Sequence, residues 1–422
     1  MRIFNLALIV LWLAESAFGQ IPFSNPEAVG MSSDRLARIS QLSKEYVDSS
    51  RVAGIVTMVA RDGQIVYFES FGKRGMDDLG LLKKDDLFRI FSMTKPITAV
   101  AMMQLYEQGK FHMKDPVTKY IPELADLKVL NENGVLVPVK NQMTIQQLMT
   151  HTAGFSYGFN SNDLVDQQYS EADLWNAKDL NDFAQRISKL PLKYEPGTQW
   201  HYSIAVDLQG LIIERLSGQS LKDYFFEHIL QPLQMEDTYF EVPEEKRSRF
   251  LPNHSFDRTT GKPRIIKEIT SAAYSDYFHV SLYSGGGGLV STAMDYMIFS
   301  ECMRNGGTLN GKRILSPKTV KFMIKNHLNA CLANSEKSGV NNQGDHFGFG
   351  LGFALNLDAP SSGVIGSAGE FNWGGAAGTV FWIDPVENIS VVSMIKLMGS
   401  PWKLREDLKV AVYQSLLESY EH

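Results

Sequence analysis

Two serine motifs in the sequence could supply a nucleophile for acyl transfer. The first is GFSYG at 154–158, which matches the G-x-S-x-G pattern and centres on Ser156. In hydrolases with that pattern, a buried strand immediately precedes the serine and a helix immediately follows it. Here the segment 146–150 is polar and helix-like, and 159–162 is typical of a loop. The context therefore argues against Ser156 as a nucleophile.

The second motif, S-x-x-K, begins at Ser70, Ser92, Ser393 and Ser400. Ser70 and Ser393 lie in strand-like runs, where residues three apart point to opposite faces. Ser400 precedes a proline, an arrangement typical of the start of a helix without any catalysis. Only Ser92 opens an apolar helix, which places Lys95 one turn later on the same face.

The pair Ser92 and Lys95 has a chemical use. A serine hydroxyl needs an adjacent base, and a lysine in a desolvated pocket has a lowered pKa and can accept the proton. The start of the helix adds backbone N–H groups for a developing oxyanion. On this motif alone, an N-cap serine beside a surface lysine is an equally good interpretation.

Two later segments favour the chemical interpretation. Tyr202 comes just before a predicted helix, and a phenol beside an ammonium ionises more easily, so Tyr202 would share proton transfer. Trp373, Gly374, Gly375 and Ala376 precede a predicted strand, where glycines let a ligand approach backbone N–H groups that would complete an oxyanion hole. The structural alternatives are a buried tyrosine and a glycine turn behind a packed tryptophan.

Hydrophobic periodicity predicts the elements that must position these residues. Helices are expected at about 33–46, 92–108, 144–150, 172–187, 205–216, 292–305 and 404–418. Strands are expected at 55–60, 65–71, 348–355, 378–383 and 389–396, with the first two joined as a hairpin. We therefore predict an α/β fold of the α+β sandwich type. Its antiparallel sheet comes from the N- and C-terminal segments, is flanked by helices, and carries a large inserted, mainly helical lobe.

The chain is expected to form one domain over residues 20–422. A sheet lobe would comprise about 20–85 and 345–422, and a helical lobe about 86–340. The segment 240–283 is irregular, and its structure is not predicted.

The composition is that of a soluble globular protein. The chain has 422 residues, a formal net charge of -6 and two cysteines. Because there is no basic stripe, nucleic acid is not an expected partner. The nine histidines form no metal-binding spacing, so neither a metal nor a cofactor is predicted. Cys302 and Cys331 are expected either to pair as a disulfide or to remain free and buried.

Residues 1–19 have the features of a secretory signal peptide. Arg2 precedes an apolar run at 3–14, and the small residues Ala17 and Gly19 precede the predicted cleavage site. About 12 apolar residues form a helix of about 18 Å, which is too short for a hydrocarbon core of about 30 Å. We expect cleavage, a periplasmic or secreted mature protein, and no stable membrane insertion.

The order of three motifs resembles the serine β-lactamase and penicillin-binding protein superfamily, in its class C-like branch. These motifs are SMTK at 92–95, YS at 202–203 and WGG at 373–375. The segments LMTHTAG at 148–154, YEPG at 194–197 and GGGGL at 285–289 extend the resemblance over about 25–415.

The resemblance implies a role for each motif residue. Ser92 would be acylated, and Lys95 and Tyr202 would move protons. The backbone N–H groups of Ser92 and Ala376 would bind the oxyanion. The acyl-enzyme would then be hydrolysed or passed to another acceptor.

Two departures from the branch bear on the substrate. Ile204 stands where its β-lactamases and D-Ala-D-Ala peptidases have asparagine. Trp373 replaces the lysine of their third motif, whose cation receives the substrate carboxylate. A buried carboxylate without a cation costs several kcal/mol, so anionic substrates are expected to be disfavoured. WGG resembles the third motif of family VIII carboxylesterases and related acyltransferases, which implies hydrolysis of neutral esters at a site lined by residues 373–376.

Two alternatives use the same fold. The same catalytic residues could act on a β-lactam, a D-Ala-D-Ala peptide or a D-amino-acid amide. A catalytically silent homologue would instead bind cell-wall fragments, although the intact set Ser92, Lys95 and Tyr202 favours an enzyme. In the enzyme interpretations the partner is a small-molecule ester or amide, and oligomeric state and acyl chain length are not predicted.

Overall fold

The described part of the chain contains 16 β-strands and 12 α-helices. The structure is a computed structural model and describes residues 21–131, 133–266, 277–328, 332, 344 and 346–421. The strands are β1 (Gly54–Arg61), β2 (Gln64–Gly72), β3 (Phe88–Arg89), β4 (Lys128–Leu130), β5 (Leu136–Pro138), β6 (His254–Asp257), β7 (Lys262–Ile265), β8 (Val290–Ser291), β9 (Thr308–Leu309), β10 (Lys312–Arg313), β11 (Phe347–Phe349), β12 (Ala354–Asn356), β13 (Phe371–Gly374), β14 (Val380–Asp384), β15 (Ile389–Met394) and β16 (Leu397–Met398).

The helices lie mainly between the two groups of sheet strands. They are α1 (Ser33–Asp48), α2 (Thr94–Glu107), α3 (Ile145–Met149), α4 (Leu164–Glu171), α5 (Leu180–Ile187), α6 (Ala205–Ser217), α7 (Leu221–Phe225), α8 (Gln231–Leu233), α9 (Ala293–Arg304), α10 (Pro317–Met323), α11 (Ala359–Ser362) and α12 (Leu404–Tyr413). None of the helices in the described ranges is long and apolar enough to span a bilayer.

A seven-stranded antiparallel sheet combines the two ends of the chain, as predicted. Its strand order is β11-β12-β13-β14-β15-β1-β2. The hairpin between β1 and β2 turns at Asp62 and Gly63, with φ angles of 50° and 76°. Two successive positive φ angles characterise the hairpin turns that match strand twist, and Asp-Gly favours them.

Two apolar layers cover the sheet. Every residue of β1 is buried, because its side chains alternate between the two layers. Val56 and Met58 join the core formed with the helical lobe, whereas Ile55 and Val59 pack in the layer that contains α1 and α12. In the helical lobe, α2 packs on α6 and is buried from Thr94 to Leu105. A buried central helix is thus available to carry functional side chains.

Several predicted boundaries were wrong for local reasons. The helix expected at 172–187 forms only from Leu180, because α4 ends before Ala172 and Asp173 takes a φ of 50°. The strand expected at 348–355 is two strands, since Gly352 turns the chain at a φ of 89°. The final helix ends at Tyr413 and not near 418.

The segment 240–283 contains more structure than its composition indicates. A 3-10 helix at Glu244–Arg249 precedes the antiparallel pair β6 and β7, and β6 also pairs in parallel with β16. The proposed signal peptide at 1–19 lies outside the described residues, as does Cys331, whereas Cys302 is buried in the core.

Candidate active site

Ser92 lies in a 3-10 turn, Phe91–Met93, that leads directly into α2. The residue at the N-cap of α2 is Met93, and no side chain caps the helix. The alternative interpretation of Ser92 as an N-cap is therefore wrong. Phe91, just before the serine, has a φ of 43°. A non-glycine residue in this region is uncommon and costs about 1–3 kcal/mol, and such strain is concentrated at functional sites.

Lys95 is buried one turn after Ser92, not exposed on the surface. Its side chain is 1% exposed. Lys95 Nζ donates hydrogen bonds to Ser92 Oγ at 3.2 Å, to Tyr157 OH at 2.9 Å and to the Gly286 carbonyl at 2.5 Å. Three acceptors match the three protons of an ammonium group.

Tyr202 completes the set around the serine. Its hydroxyl donates to Ser92 Oγ at 2.7 Å. Lys95 Nζ lies 4.7 Å from the centroid of the Tyr202 ring, within the range of a cation–π contact. The segment of Tyr202 immediately precedes α6, which packs on α2, and this packing joins residues 110 positions apart.

The third motif approaches Ser92 from the sheet. Trp373 and Gly374 end β13, a strand missed by the sequence prediction, and 375–379 turn back into β14. The Trp373 ring centroid lies 5.4 Å from that of Tyr202. A Cβ at Gly375 would lie 2.4 Å from the Ile90 carbonyl oxygen. Only glycine allows the turn to pass so close to the backbone that leads into Ser92.

Ala376 lies at the exposed tip of this turn. Gly375 N–H donates to the Thr379 carbonyl at 2.7 Å, and Gly378 N–H donates to the Gly375 carbonyl at 2.9 Å. Within the described ranges, Ala376 N–H has no acceptor. The turn thus presents an unused backbone donor beside the serine segment, as an oxyanion hole requires.

Tyr157 is a site residue that sequence reasoning missed. Its hydroxyl accepts from Lys95 Nζ, and its ring stacks on that of Phe159 at a centroid distance of 4.9 Å. Burial, followed by the nearby Tyr202 and Asp207, raises the pKa of Tyr157 well above its usual value. Tyr157 therefore keeps its proton at neutral pH. It lies inside GFSYG, and a contact across 62 positions with Lys95 leaves no signal in that motif.

Ser156 lacks the geometry of a nucleophile. It is 1% exposed, and its Oγ donates to Asp166 Oδ1 at 2.5 Å and lies 3.3 Å from His201 Nε2. In a catalytic triad the carboxylate binds the histidine, and the histidine binds the serine. Here the carboxylate holds the serine directly, which is a structural arrangement.

Among the described residues, none of the other three S-x-x-K matches has a hydrogen bond between its serine and its lysine. Ser393 Oγ lies 3.1 Å from Thr57 Oγ1, whereas Lys396 Nζ donates to the Lys73 carbonyl. The expectation that Ser400 caps the last helix was wrong, because Lys403 occupies that N-cap position.

A ring of aromatic side chains surrounds the Ser92 site. His151 contacts Tyr202 at a centroid distance of 4.9 Å, and Phe349 contacts Trp373 at 5.4 Å. Burial, followed by the positive charge of Lys95, lowers the pKa of His151 well below its usual value, so its imidazole is neutral. Trp373 Nε1 is buried and, in the described part of the chain, has no hydrogen-bond partner. Lys95 and Tyr202 can therefore activate the Ser92 hydroxyl beside an aromatic surface. Within the described residues, that surface retains an unpaired hydrogen-bond donor, Trp373 Nε1.

Comparisons with known proteins show to which family the chain is similar. The profile of the Beta-lactamase family matches residues 39–414. The protein Rv1367c of Mycobacterium tuberculosis is 31% identical over 367 residues, which cover 84% of this chain and 88% of that protein. Esterase EstB of Burkholderia gladioli is 29% identical over 410 residues, which cover 92% and 98%.

A solved structure supports the fold independently. The structure of EstCE1, described as a hydrolase with promiscuous acyltransferase activity, superposes with a TM-score of 0.76 at 24% identity. The match covers 91% of this chain and 99% of that one. A family profile that spans most of the sequence, together with this superposition, leads to one conclusion: the chain belongs to the beta-lactamase family.

Proposed function

We propose that the protein is a serine hydrolase that cleaves neutral carboxylic esters through an acyl intermediate on Ser92. The observation that carries the proposal is the position of Ser92 Oγ, which lies 2.7 Å from Tyr202 OH and 3.2 Å from Lys95 Nζ. The Tyr202 hydroxyl and the Lys95 amine can each exchange a proton with Ser92 Oγ. The packing of α2 on α6 holds both groups in place. The similarity to EstB, named an esterase, supports the same reaction class.

The reaction would proceed by two acyl transfers. Either Tyr202 or Lys95 must first be deprotonated, so that the Ser92 proton can pass to it while Oγ attacks the ester carbonyl. Backbone N–H groups of Ser92 and Ala376 would stabilise the tetrahedral oxyanion. Collapse breaks the carbonyl carbon–alkoxy bond, and the stored proton passes to the leaving alcohol. Water then attacks the acyl-serine and gives a proton to the same base, and collapse breaks the bond between the carbonyl carbon and Ser92 Oγ. The carboxylic acid leaves, and the proton returns from the base to Ser92 Oγ.

Trp373, the first residue of the WGG motif, supports a neutral substrate. Trp373 provides an indole where a lysine would bind a carboxylate, and its unpaired N–H can donate to only one acceptor. Phe159, 78% exposed beside Tyr157, extends the apolar surface outward. An anionic ligand would lose its hydration without gaining a compensating charge from the third motif.

A comparison of a neutral and an anionic substrate tests the proposed function. We expect the mature protein to hydrolyse p-nitrophenyl butyrate with a kcat/KM about 100-fold or more above that for nitrocefin, which carries a carboxylate. Trp373→Lys should narrow this ratio by at least about tenfold, since it supplies the missing cation. Trp175→Lys, at a ring in contact with Tyr157 and not with Tyr202, serves as a control for added charge. Dominant turnover of nitrocefin or of a D-Ala-D-Ala peptide by the wild type would contradict the choice of substrate.

We also propose that the protein is exported and that residues 1–19 are removed. The basic start, the short apolar run and the small residues at 17 and 19 support this proposal. Expression of the full chain in a bacterial host should yield a periplasmic or secreted protein that begins at Gln20. N-terminal sequencing of the fractionated protein checks this, and a cytoplasmic protein that retains Met1 would contradict it.

A further inference from the structure

Asp207 is a buried carboxylate on α6 that the reaction scheme above does not use. Its side chain is 1% exposed. Asp207 Oδ1 accepts from Ser284 Oγ at 2.5 Å and from Gly286 N–H at 3.0 Å. In the described structure Asp207 Oδ2 is buried without a hydrogen-bond partner. A buried carboxylate is costly, so one that is only half satisfied needs a compensating interaction.

Gly286 connects this carboxylate to the lysine of the site. Its N–H is held by Asp207, and its carbonyl accepts from Lys95 Nζ at 2.5 Å. A Cβ at Gly286 would lie 2.5 Å from Asp207 Oδ2. The bare backbone is therefore necessary for the loop to fit between α6 and α2.

Two further hydrogen bonds fix the same loop to α2. Thr98 Oγ1 donates to the Gly285 carbonyl at 2.7 Å, and Leu289 N–H donates to Thr94 Oγ1 at 3.1 Å. The loop is thus attached to α2 on both sides of Gly286. Asp207 supplies its attachment to α6.

Among the titratable groups that interact with Lys95 in the described residues, Asp207 is the carboxylate. The titratable groups that face Lys95 are Tyr157, Tyr202, His151 and Asp207. The His151 imidazole is neutral and Tyr157 keeps its proton, as described above. Burial raises the pKa of Asp207, and the charge of Lys95 together with the bonds from Ser284 and Gly286 opposes that rise.

We propose that Asp207 is a positioning residue that holds Lys95 Nζ beside Ser92 through the Gly286 peptide and compensates the buried ammonium with its negative charge. This inference rests on the proposed function, because it assigns Asp207 to the same site. It also gives a reason for glycine at position 286, where a Cβ would lie 2.5 Å from Asp207 Oδ2.

Two substitutions of Asp207 distinguish the effect of its negative charge from its effect on the position of the loop. In Asp207→Asn the amide oxygen can still accept from Ser284 and Gly286, and the new NH2 group replaces the unpartnered Oδ2. Loss of a negative charge lowers the pKa of neighbouring groups, whichever of Lys95 and Tyr202 is the base. We expect the kcat/KM–pH profile to move to lower pH by about one unit. Asp207→Ala also releases the loop, and kcat should fall about 100-fold with KM changed less than about threefold.

The measurements are rates of ester hydrolysis and of Ser92 labelling by a fluorophosphonate, each across about pH 5–10, with melting temperatures for all variants. Asp384→Asn is the matched control, because Asp384 is a buried carboxylate that binds Tyr413 in the layer of α12. An unchanged profile in Asp207→Asn, or the same shift in Asp384→Asn, would overturn the proposal. If the wild type labels at Ser92 but cleaves no ester, the proposed function fails, while the labelling profiles still decide the role of Asp207.

Discussion

Replacing Ser92 with alanine should lower kcat/KM for p-nitrophenyl butyrate by about 10⁴-fold or more, whereas Ser156→Ala should leave it within about threefold. The contrast is large because Ser92 Oγ contacts both Tyr202 and Lys95, whereas Ser156 Oγ is held by Asp166. Residual turnover in Ser92→Ala would come from substrate binding and the oxyanion donors alone. Initial rates with active-site titration by a fluorophosphonate measure the effect.

Ser156→Ala should also lower the stability of the protein. Loss of this hydroxyl removes one of the bonds to buried Asp166, although Lys193 and the Asn160 N–H still satisfy that carboxylate. We expect a decrease of about 1–2 kcal/mol in the free energy of unfolding, measured by urea titration. If Ser156→Ala lost activity while folded, or Ser92→Ala retained both activity and label, the assignment of the nucleophile would be wrong.

Much of the site follows from local periodicity. The spacing of Ser92 and Lys95 places them one helical turn apart, and strand periodicity correctly separates Ser393 from Lys396. Both relations join residues three positions apart, although Ser92 lies in the 3-10 turn just before α2 and Lys396 follows the end of β15. The same reasoning predicts the β1–β2 hairpin and the sheet built from both chain ends.

Contacts between elements are not predictable in this way. Lys95 reaches Tyr157 across 62 positions and Gly286 across 191, and no periodicity relates such residues. The position of Tyr202 before a predicted helix leaves a purely structural role open, and the order of the three motifs is what favours the catalytic role. Strand β13 was missed because Trp373 and Gly374 look like a loop when the partner strand β14 is unknown.

Lys95 and Tyr202 should behave as one catalytic unit. Lys95→Met and Tyr202→Phe are each expected to lower kcat by about 10²–10⁴-fold, because each removes a group that exchanges a proton with Ser92 Oγ. The double variant should lose little more than the more damaging single variant, since neither group can complete the proton transfer alone. Steady-state kinetics of the three variants, with melting temperatures to confirm folding, measure this coupling.

Tyr157→Phe is the matched control for this cycle. Its hydroxyl accepts from Lys95 Nζ and its ring lies 5.1 Å from that of Tyr202, but among the described residues it makes no hydrogen bond to Ser92. We expect a decrease in kcat of about tenfold, smaller than that of Tyr202→Phe. Strictly additive losses in the Lys95 and Tyr202 cycle would contradict a shared proton relay. Additive losses would mean instead that one group takes the proton from Ser92 while the other stabilises a charge elsewhere. Because both groups contact the same serine oxygen, the double-mutant cycle is needed to distinguish proton transfer from electrostatic stabilisation.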